Sequence, residues 1–301
     1  DWHLSLRSPV ARSAEPDWLE AQGRVLDQVE ALAKEYGEVP IICAGDLFDR
    51  WNSPPELINW AIVHMPPNVW AIPGQHDLPN HRYEDVGKSA YWTLVKAGKI
   101  DTIDSSVAML GLHLHGFPWG ILVEPCIRGA KSSCIHMAVI HAYIYHTIGT
   151  AYPDAPKEAW VGKWRERLRG YDAAVIGDNH SWWLSKSEGC NVLNHGCLIP
   201  RKSDERQVVP APGLLWSDGS ITRVPLDVST DRWLDPADLV AAAMAGVEEF
   251  IGCLAELGES GVDFFGAVRR FLDSPAGKSL SPGARGIIEG VVEGVRNKEK
   301  L

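Results

Sequence analysis

The run Val39-Pro40-Ile41-Ile42-Cys43-Ala44-Gly45-Asp46-Leu47-Phe48-Asp49 decides the fold. Residues 41–44 are small, apolar and partly β-branched, the composition of a short strand buried on both faces. Gly45 breaks the run, and two carboxylates, Asp46 and Asp49, follow in the loop at the strand's carboxyl end. Upstream, Leu19, Leu26, Val29, Leu32 and Ala33 recur at helical spacing and predict an amphipathic helix over about residues 16–36. Downstream, Pro54 and Pro55 open a second helix through Leu57, Ile58, Ala61 and Ile62, since proline suits a first helical turn. Residues 69–72 form the next short strand, stopped by Pro73-Gly74. A helix over 89–96 follows, then strands near 106–110, 112–117, 135–140, 172–176, 191–194, 208–216 and 221–226. Short buried strands between helices predict an α/β fold of two packed mixed β-sheets flanked by helices.

Composition narrows the function classes. The chain has 301 residues, 45% hydrophobic and 23% charged, which excludes a disordered or collagen-like protein and allows one large domain with residues to spare. No uncharged apolar run reaches about 18 residues, so no membrane-spanning helix is expected. The formal net charge of -10 argues against a protein that grips nucleic acid through a basic face of its own. Bound metals or a partner subunit could supply that charge instead. Six cysteines form no C-x-x-C pair and read as the reduced thiols of a cytoplasmic protein.

The chemistry lies in a series of residues placed just after predicted strands. Asp1 and His3 come first, then Asp46 and Asp49, then Gln75-His76-Asp77. His141 closes a strand, and Gly177-Asp178-Asn179-His180 follows the next. In an α/β sheet the loops at the carboxyl ends of neighbouring strands converge on one crevice. Carboxylates, imidazoles and an amide gathered there describe a metal site, and hard oxygen ligands mixed with imidazole favour Mn²⁺, Fe²⁺, Zn²⁺ or Mg²⁺ over thiolate-bound ions. Singly, each motif reads as readily as a turn or a packed histidine; their order carries the signal.

That order resembles the calcineurin-like metallophosphoesterases, whose motifs run D-x-H, G-D-x-x-D, G-N-H-D, a lone H, and G-H-x-H. Within them the chain is most similar to the SbcD-type nuclease subunits, on Gly45–Asp49 with Ser53-Pro54-Pro55, and on Asn194-His195-Gly196-Cys197 leading to Arg201. The resemblance covers about residues 1–227 as a catalytic domain. It implies two divalent metal ions, Mn²⁺ first among them, bridged by Asp46. Asp1, His3 and His180 complete one site, and Gln75, His141 and Asp178 the other. It further implies that His76, oriented by Asp77, protonates the leaving oxygen, with Asp49 standing behind the ligands. Two positions depart from the family pattern: Gln75 replaces Asn, and Asp178 replaces the first His of the last pair. The family also places a central β-strand ahead of D-x-H, so a longer protein than these 301 residues is expected.

Residues 228–301 read as a helical tail, nearly all helix-compatible from Asp235 onward, with one apolar stripe from Val240 to Leu257 and another from Val262 to Leu272. Such a helical tail suits docking on an SbcC-like ATPase; a homodimer, or packing back on the same chain, suits it equally. Arg201, Lys202 and Trp182 are candidate phosphate or DNA contacts. Lys163, Arg165, Arg167 and Arg169 read as the solvated face of a polar helix. His113 and His115 alternate along one strand, as ordinary packing or as a face shared with the site, and His136 reads as structural. Three functions stand: a two-metal DNA exo- or endonuclease subunit of an SbcCD-like complex, a phosphodiesterase or phosphatase for nucleotides or other small phosphoesters, and a degenerate scaffold without activity.

Overall fold

Asp17 opens the first helix, its side chain accepting from Glu20 N at 3.0 Å, and the apolar stripe read from sequence becomes the buried face of α1 (Trp18–Glu35). Pro54 and Pro55 start α2 (Pro55–His64). Ser89 caps α3 (Ala90–Lys96) by accepting from Trp92 N. The computed structural model describes residues 1–109, 111–128, 134–187, 189–235 and 272–273. Nearly all of the helical tail expected over 228–301, with its docking stripes, lies outside the described residues.

Eleven strands are described. Strands β1 (Ile41–Cys43), β2 (Val69–Ala71) and β3 (Ile100–Thr102) form a parallel three-stranded sheet in that order. Next along the chain come β4 (Ser106–Met109), β5 (Leu112–Phe117), β6 (Ile135–His141), β7 (Ala173–Gly177), β8 (Trp183–Ser187) and β9 (Cys190–Asn194). They build a mixed six-stranded sheet ordered β4-β5-β6-β7-β9-β8, in which β4 and β8 are the antiparallel edges. The hairpin of β10 (Gly213–Leu215) and β11 (Ile221–Arg223) stands apart. Its first strand is shorter than the expected 208–216, because Pro210 and Pro212 cannot donate to a ladder.

Strand alternation divides the six-stranded sheet into two chemically different faces. Leu114, Met137, Val139, Ala173, Val175 and Leu193 pack with Ala44 and Ile72 between the two sheets. Ala138, Ile140, Ala174, Ile176 and Val192 face the other way, under Val123, Ile144, Trp164, Leu168 and Tyr171. Helices α1 to α3 cover the outer side of the three-stranded sheet, around Leu26, Leu47, Phe48, Leu57, Tyr91 and Leu94. The expected polar helix around Lys163–Arg169 is instead a 3₁₀ turn, Val161–Lys163, followed by further turns. Trp164 and Leu168 point inward between the exposed basic side chains.

Arg12 is the largest fully buried side chain, 1% exposed. Its guanidinium donates to Pro200 O at 2.7 Å and to Glu15 Oε1 at 2.6 Å, lies 3.0 Å from Asp231 Oδ2, and sits over the rings of Trp18 and Trp233. Truncating one partner of a buried ion pair leaves the other charges uncompensated. Arg12→Ala should therefore destabilise the domain by about 3–5 kcal/mol, read as a lowered midpoint in urea unfolding.

Candidate metal centre

The loops after β1, β2, β6 and β7 meet at one end of the inter-sheet core, where they bring Asp46, Gln75, His76, His141, Asp178 and His180 together. Residues 1–4 join them as an extended segment beside 46–49: Trp2 N and His3 N donate to Asp46 O, Leu4 N to Leu47 O, and Asp49 N to Leu4 O. Asp46 is central. Its Oδ2 lies 3.4 Å from His141 Nε2 and 3.8 Å from His3 Nε2, and its Oδ1 accepts from His76 N at 2.8 Å. It belongs to two clusters of ligand atoms, His3–Asp46–His76 and Asp1–Asp46–His141, each with all its atoms within 4.8 Å of one another. Asp1, His3, Asp46 and His141 are all buried.

The close approach depends on glycine. A Cβ on Gly74 would overlap Asp46 Oδ1, and one on Gly45, at φ +104°, would overlap the His141 ring. Three of the presented side chains hang from left-handed backbone: His3 at φ +50°, Asp46 at +51° and Asp178 at +89°. Such conformations cost non-glycine residues about 1–3 kcal/mol each and gather at functional sites.

The imidazoles are set to receive a cation. His141 Nδ1 lies 2.6 Å from Ala44 O, which can only accept, so Nδ1 carries a proton and Nε2 faces Asp46. That buried Nε2 has no hydrogen-bond partner. His180 Nδ1 lies 2.7 Å from Glu205 Oε1, leaving its Nε2 pointing at His3 Nε2, 3.2 Å away. Burial alone would raise the Asp46 pKa, yet the neighbouring His141 holds the carboxyl well below the usual range, and the Asp46 charge in turn raises the pKa of His141 against its burial. Burial pushes His3 the other way and keeps it neutral. Buried carboxylates, neutral imidazole nitrogens and an orphaned Nε2 fit a divalent cation of hard or borderline character.

Several positions differ from the sequence reading. Asp1 was expected beside His3 and His180. Its carboxylate groups instead with Asp46 and His141, and both its oxygens accept from Asp178 N, at 3.0 and 2.8 Å. Asp77 does not touch the His76 ring. It is fully buried and accepts from Leu47 N, Phe48 N and Gly74 N, while the Asp49 carbonyl lies 2.9 Å from His76 Nδ1. Gln75 Nε2 donates to Asp178 Oδ1 at 2.9 Å, so the two departures from the family pattern contact each other. Arg201 is tied to Asp49 Oδ1 at 2.6 Å, and Trp182 lies beneath the Arg223 guanidinium at 4.9 Å. Lys202 is exposed, with its backbone N–H on Glu205 Oε2.

Glu205 was missed in the sequence. It sits in the polar run Arg201–Arg206, yet it is 6% exposed and accepts from Arg201 N and Lys202 N as well as facing His180. Burial would raise its pKa, but the His180 bond and these two N–H groups bring it down to about 2. His113, His115 and His136 are not in this site. They project from the face of the six-stranded sheet opposite to His141, because 136 and 141 differ in parity along β6. Burial and the two neighbouring imidazoles press the His115 pKa down to about 4, so that ring is neutral.

The model of the calcineurin-like phosphoesterase family matches residues 1–181, and the chain belongs to that family. Its chemistry is metal-dependent hydrolysis of phosphoesters with two divalent ions. A search of curated proteins gives no significant match. Among solved structures, the chain is similar to TT1561 of Thermus thermophilus, at 12% identity over 68% of this chain and 94% of that one, with a TM-score of 0.43. It is also similar to the hypothetical protein PH1004 of Pyrococcus horikoshii (13% identity, 79% and 91% coverage, TM-score 0.38). A third is the Thermus thermophilus sulfate thiohydrolase SoxB in complex with glycerol (11%, 80% and 47%, TM-score 0.41). No helix among the described residues is long and apolar enough to cross a membrane.

A carboxylate behind a ligating histidine fixes its tautomer and raises its basicity. Glu205→Gln should therefore weaken Mn²⁺ binding by about 10–100-fold, measured by calorimetry on the metal-stripped protein.

Proposed function

We propose that the chain is a two-metal phosphodiesterase of SbcD type that cleaves DNA in the cytoplasm, with Mn²⁺ as its preferred ion. The observation that carries the two-metal reading is Asp46 Oδ2, flanked by His141 Nε2 at 3.4 Å and His3 Nε2 at 3.8 Å. Asp1, His3, Asp46, Gln75, His141, Asp178 and His180 would together hold the pair. Bound there, the ions would supply an acidified water and neutralise charge on the phosphoryl oxygens. His76 has its Nδ1 proton on the Asp49 carbonyl, so a second proton on Nε2 is the one available to a leaving oxygen. Asp77 acts on that step only through the backbone, by holding the loops that carry Asp46 and His76. The resemblance around Ser53-Pro54-Pro55 and Asn194–Cys197 supports the DNA assignment. The net charge of -10 fits a catalytic subunit whose ATPase partner supplies most of the DNA affinity, with residues 228–301 as the docking segment.

One observation favours the small phosphoester instead. Arg201 and Trp182, expected to meet DNA, already have Asp49 and Arg223 as partners. Hydrolysis of a linear duplex and of bis-p-nitrophenyl phosphate, with and without Mn²⁺, separates the readings. The nuclease reading expects Mn²⁺-dependent loss of the duplex, reduced about 10²–10⁴-fold by His76→Ala. Turnover of the small ester alone would favour the second reading. No Mn²⁺-stimulated hydrolysis of either would sink both and leave the scaffold.

A further inference from the structure

The outer face of the six-stranded sheet carries a second cluster of ligating side chains, unrelated to the phosphoesterase centre. His113 and His136 are register partners on β5 and β6, and His115 lies two residues further along the same face. His115 Nε2 lies 3.2 Å from His136 Nδ1. Cys126 Sγ, from the connection between β5 and β6, lies 3.3 Å from His136 Nδ1 and 3.9 Å from His115 Nε2. The His113 ring closes the fourth side, its centroid 4.6 Å from that of His115 and 5.0 Å from that of His136. The three histidines each offer a nitrogen within 4.8 Å of the others.

From these side chains we infer a His₃Cys site for a tetrahedral transition-metal ion, with Zn²⁺ the best fit. Zn–N bonds of about 2.0–2.1 Å and a Zn–S bond of about 2.3 Å at tetrahedral angles put neighbouring ligand atoms about 3.3–3.6 Å apart. The three edges among His115, His136 and Cys126 are 3.2, 3.3 and 3.9 Å, and His113 offers a nitrogen within 4.8 Å of those of the other two histidines. Soft thiolate with imidazole selects zinc-like ions over the hard ions suited to the carboxylate-rich centre.

The cysteine is held in place independently of its side chain. Cys126 N donates to Arg169 O at 2.9 Å, and Gly170, at φ +87°, lets the two backbones approach where a Cβ would overlap Cys126 O. Tyr171 stands edge-on to His115 at 5.3 Å and donates from its hydroxyl to Glu124 O, two residues from the cysteine. The nearby cation, Arg128, is paired with Asp172 Oδ2 at 2.7 Å, which limits its repulsion of a metal. His113, His115 and Cys126 are half-buried, so an ion can enter from solvent. Bound metal would staple the β5–β6 connection to the sheet.

Cobalt alone is the probe, because a cobalt–thiolate bond gives a near-ultraviolet charge-transfer band that carboxylate and imidazole ligands do not. The full chain, stripped of metal and reduced, is titrated with Co²⁺. The expected result is a thiolate band with tetrahedral visible absorption that saturates at one ion per chain and is displaced by Zn²⁺. It should be lost in Cys126→Ser and in His136→Gln but kept in Asp46→Asn, which disables the phosphoesterase centre. Far-ultraviolet circular dichroism of the metal-free variants confirms that each is folded. If His136→Gln unfolds, Cys126→Ser and His113→Gln decide the matter. No thiolate band in the wild type, or a band that survives Cys126→Ser, overturns the proposal.

Discussion

Asp46 is a carboxylate 1% exposed, and the centre is organised around its negative charge. Burying an unpaired carboxylate is prohibitive in a low-dielectric interior, so its charge must be answered locally. Within the chain the answer is incomplete. One backbone N–H, from His76, meets Oδ1, and the imidazoles of His141 and His3 stand near Oδ2. Asp1 and Asp178 bring two further carboxylates to the same end of the sheets. Clustered carboxylate oxygens beside imidazole nitrogens, one of them without a hydrogen-bond partner, leave a divalent cation as the natural complement.

Asp77 shows how the same charge is handled where no metal is needed. Three backbone N–H groups answer part of it, two from the loop after β1 and one from the loop after β2, while burial and the nearby Asp46 charge still push its pKa up to about 7. It therefore fixes the distance between Asp46 and His76 without touching either side chain. Gly74 lies between them, and only the absence of a Cβ there lets the second loop close over the Asp46 carboxylate. The reacting groups are thus placed by backbone hydrogen bonds and steric vacancy, both more rigid than a chain of side-chain contacts.

Much of this was legible because strand ends announce themselves. An apolar run stopped by glycine with Asp or His close behind identified the loops after β1, β2 and β7, a lone His closing an apolar run identified that after β6, and the prolines at 54 and 55 marked the start of α2. What stayed hidden depends on neighbours remote in sequence. Strand β8 carries no hydrophobic alternation to read, because in the edge strand Trp183-Leu184-Ser185-Lys186-Ser187 the two half-buried serines share a side with Trp183 while Leu184 is exposed. Glu205 carries no motif of its own, and only the fold lays it against His180, 25 residues away. The face occupied by His113 and His115 could not be chosen from alternation alone, since alternation gives two faces without saying which one holds the metal centre. The left-handed backbone at His3, Asp46 and Asp178 has no signature in residue type beyond the tolerance of Asp and His for that region.

The two departures from the family pattern look different once they are seen in contact. Read singly, Gln75 carries its amide one methylene too far and Asp178 adds a negative charge to a crowded anionic site. Together they form one hydrogen bond, Gln75 Nε2 to Asp178 Oδ1 at 2.9 Å, and the second Asp178 oxygen is left out of it. Burial raises the Asp178 pKa, and the amide hydrogen answers part of the charge that burial penalises. The extra methylene of Gln75 thus gives reach toward the carboxylate that the shorter Asn would lack. At a metal-loaded centre the pair would exchange a histidine imidazole for an oxygen ligand steadied from the neighbouring loop, which would shift that position toward harder ions.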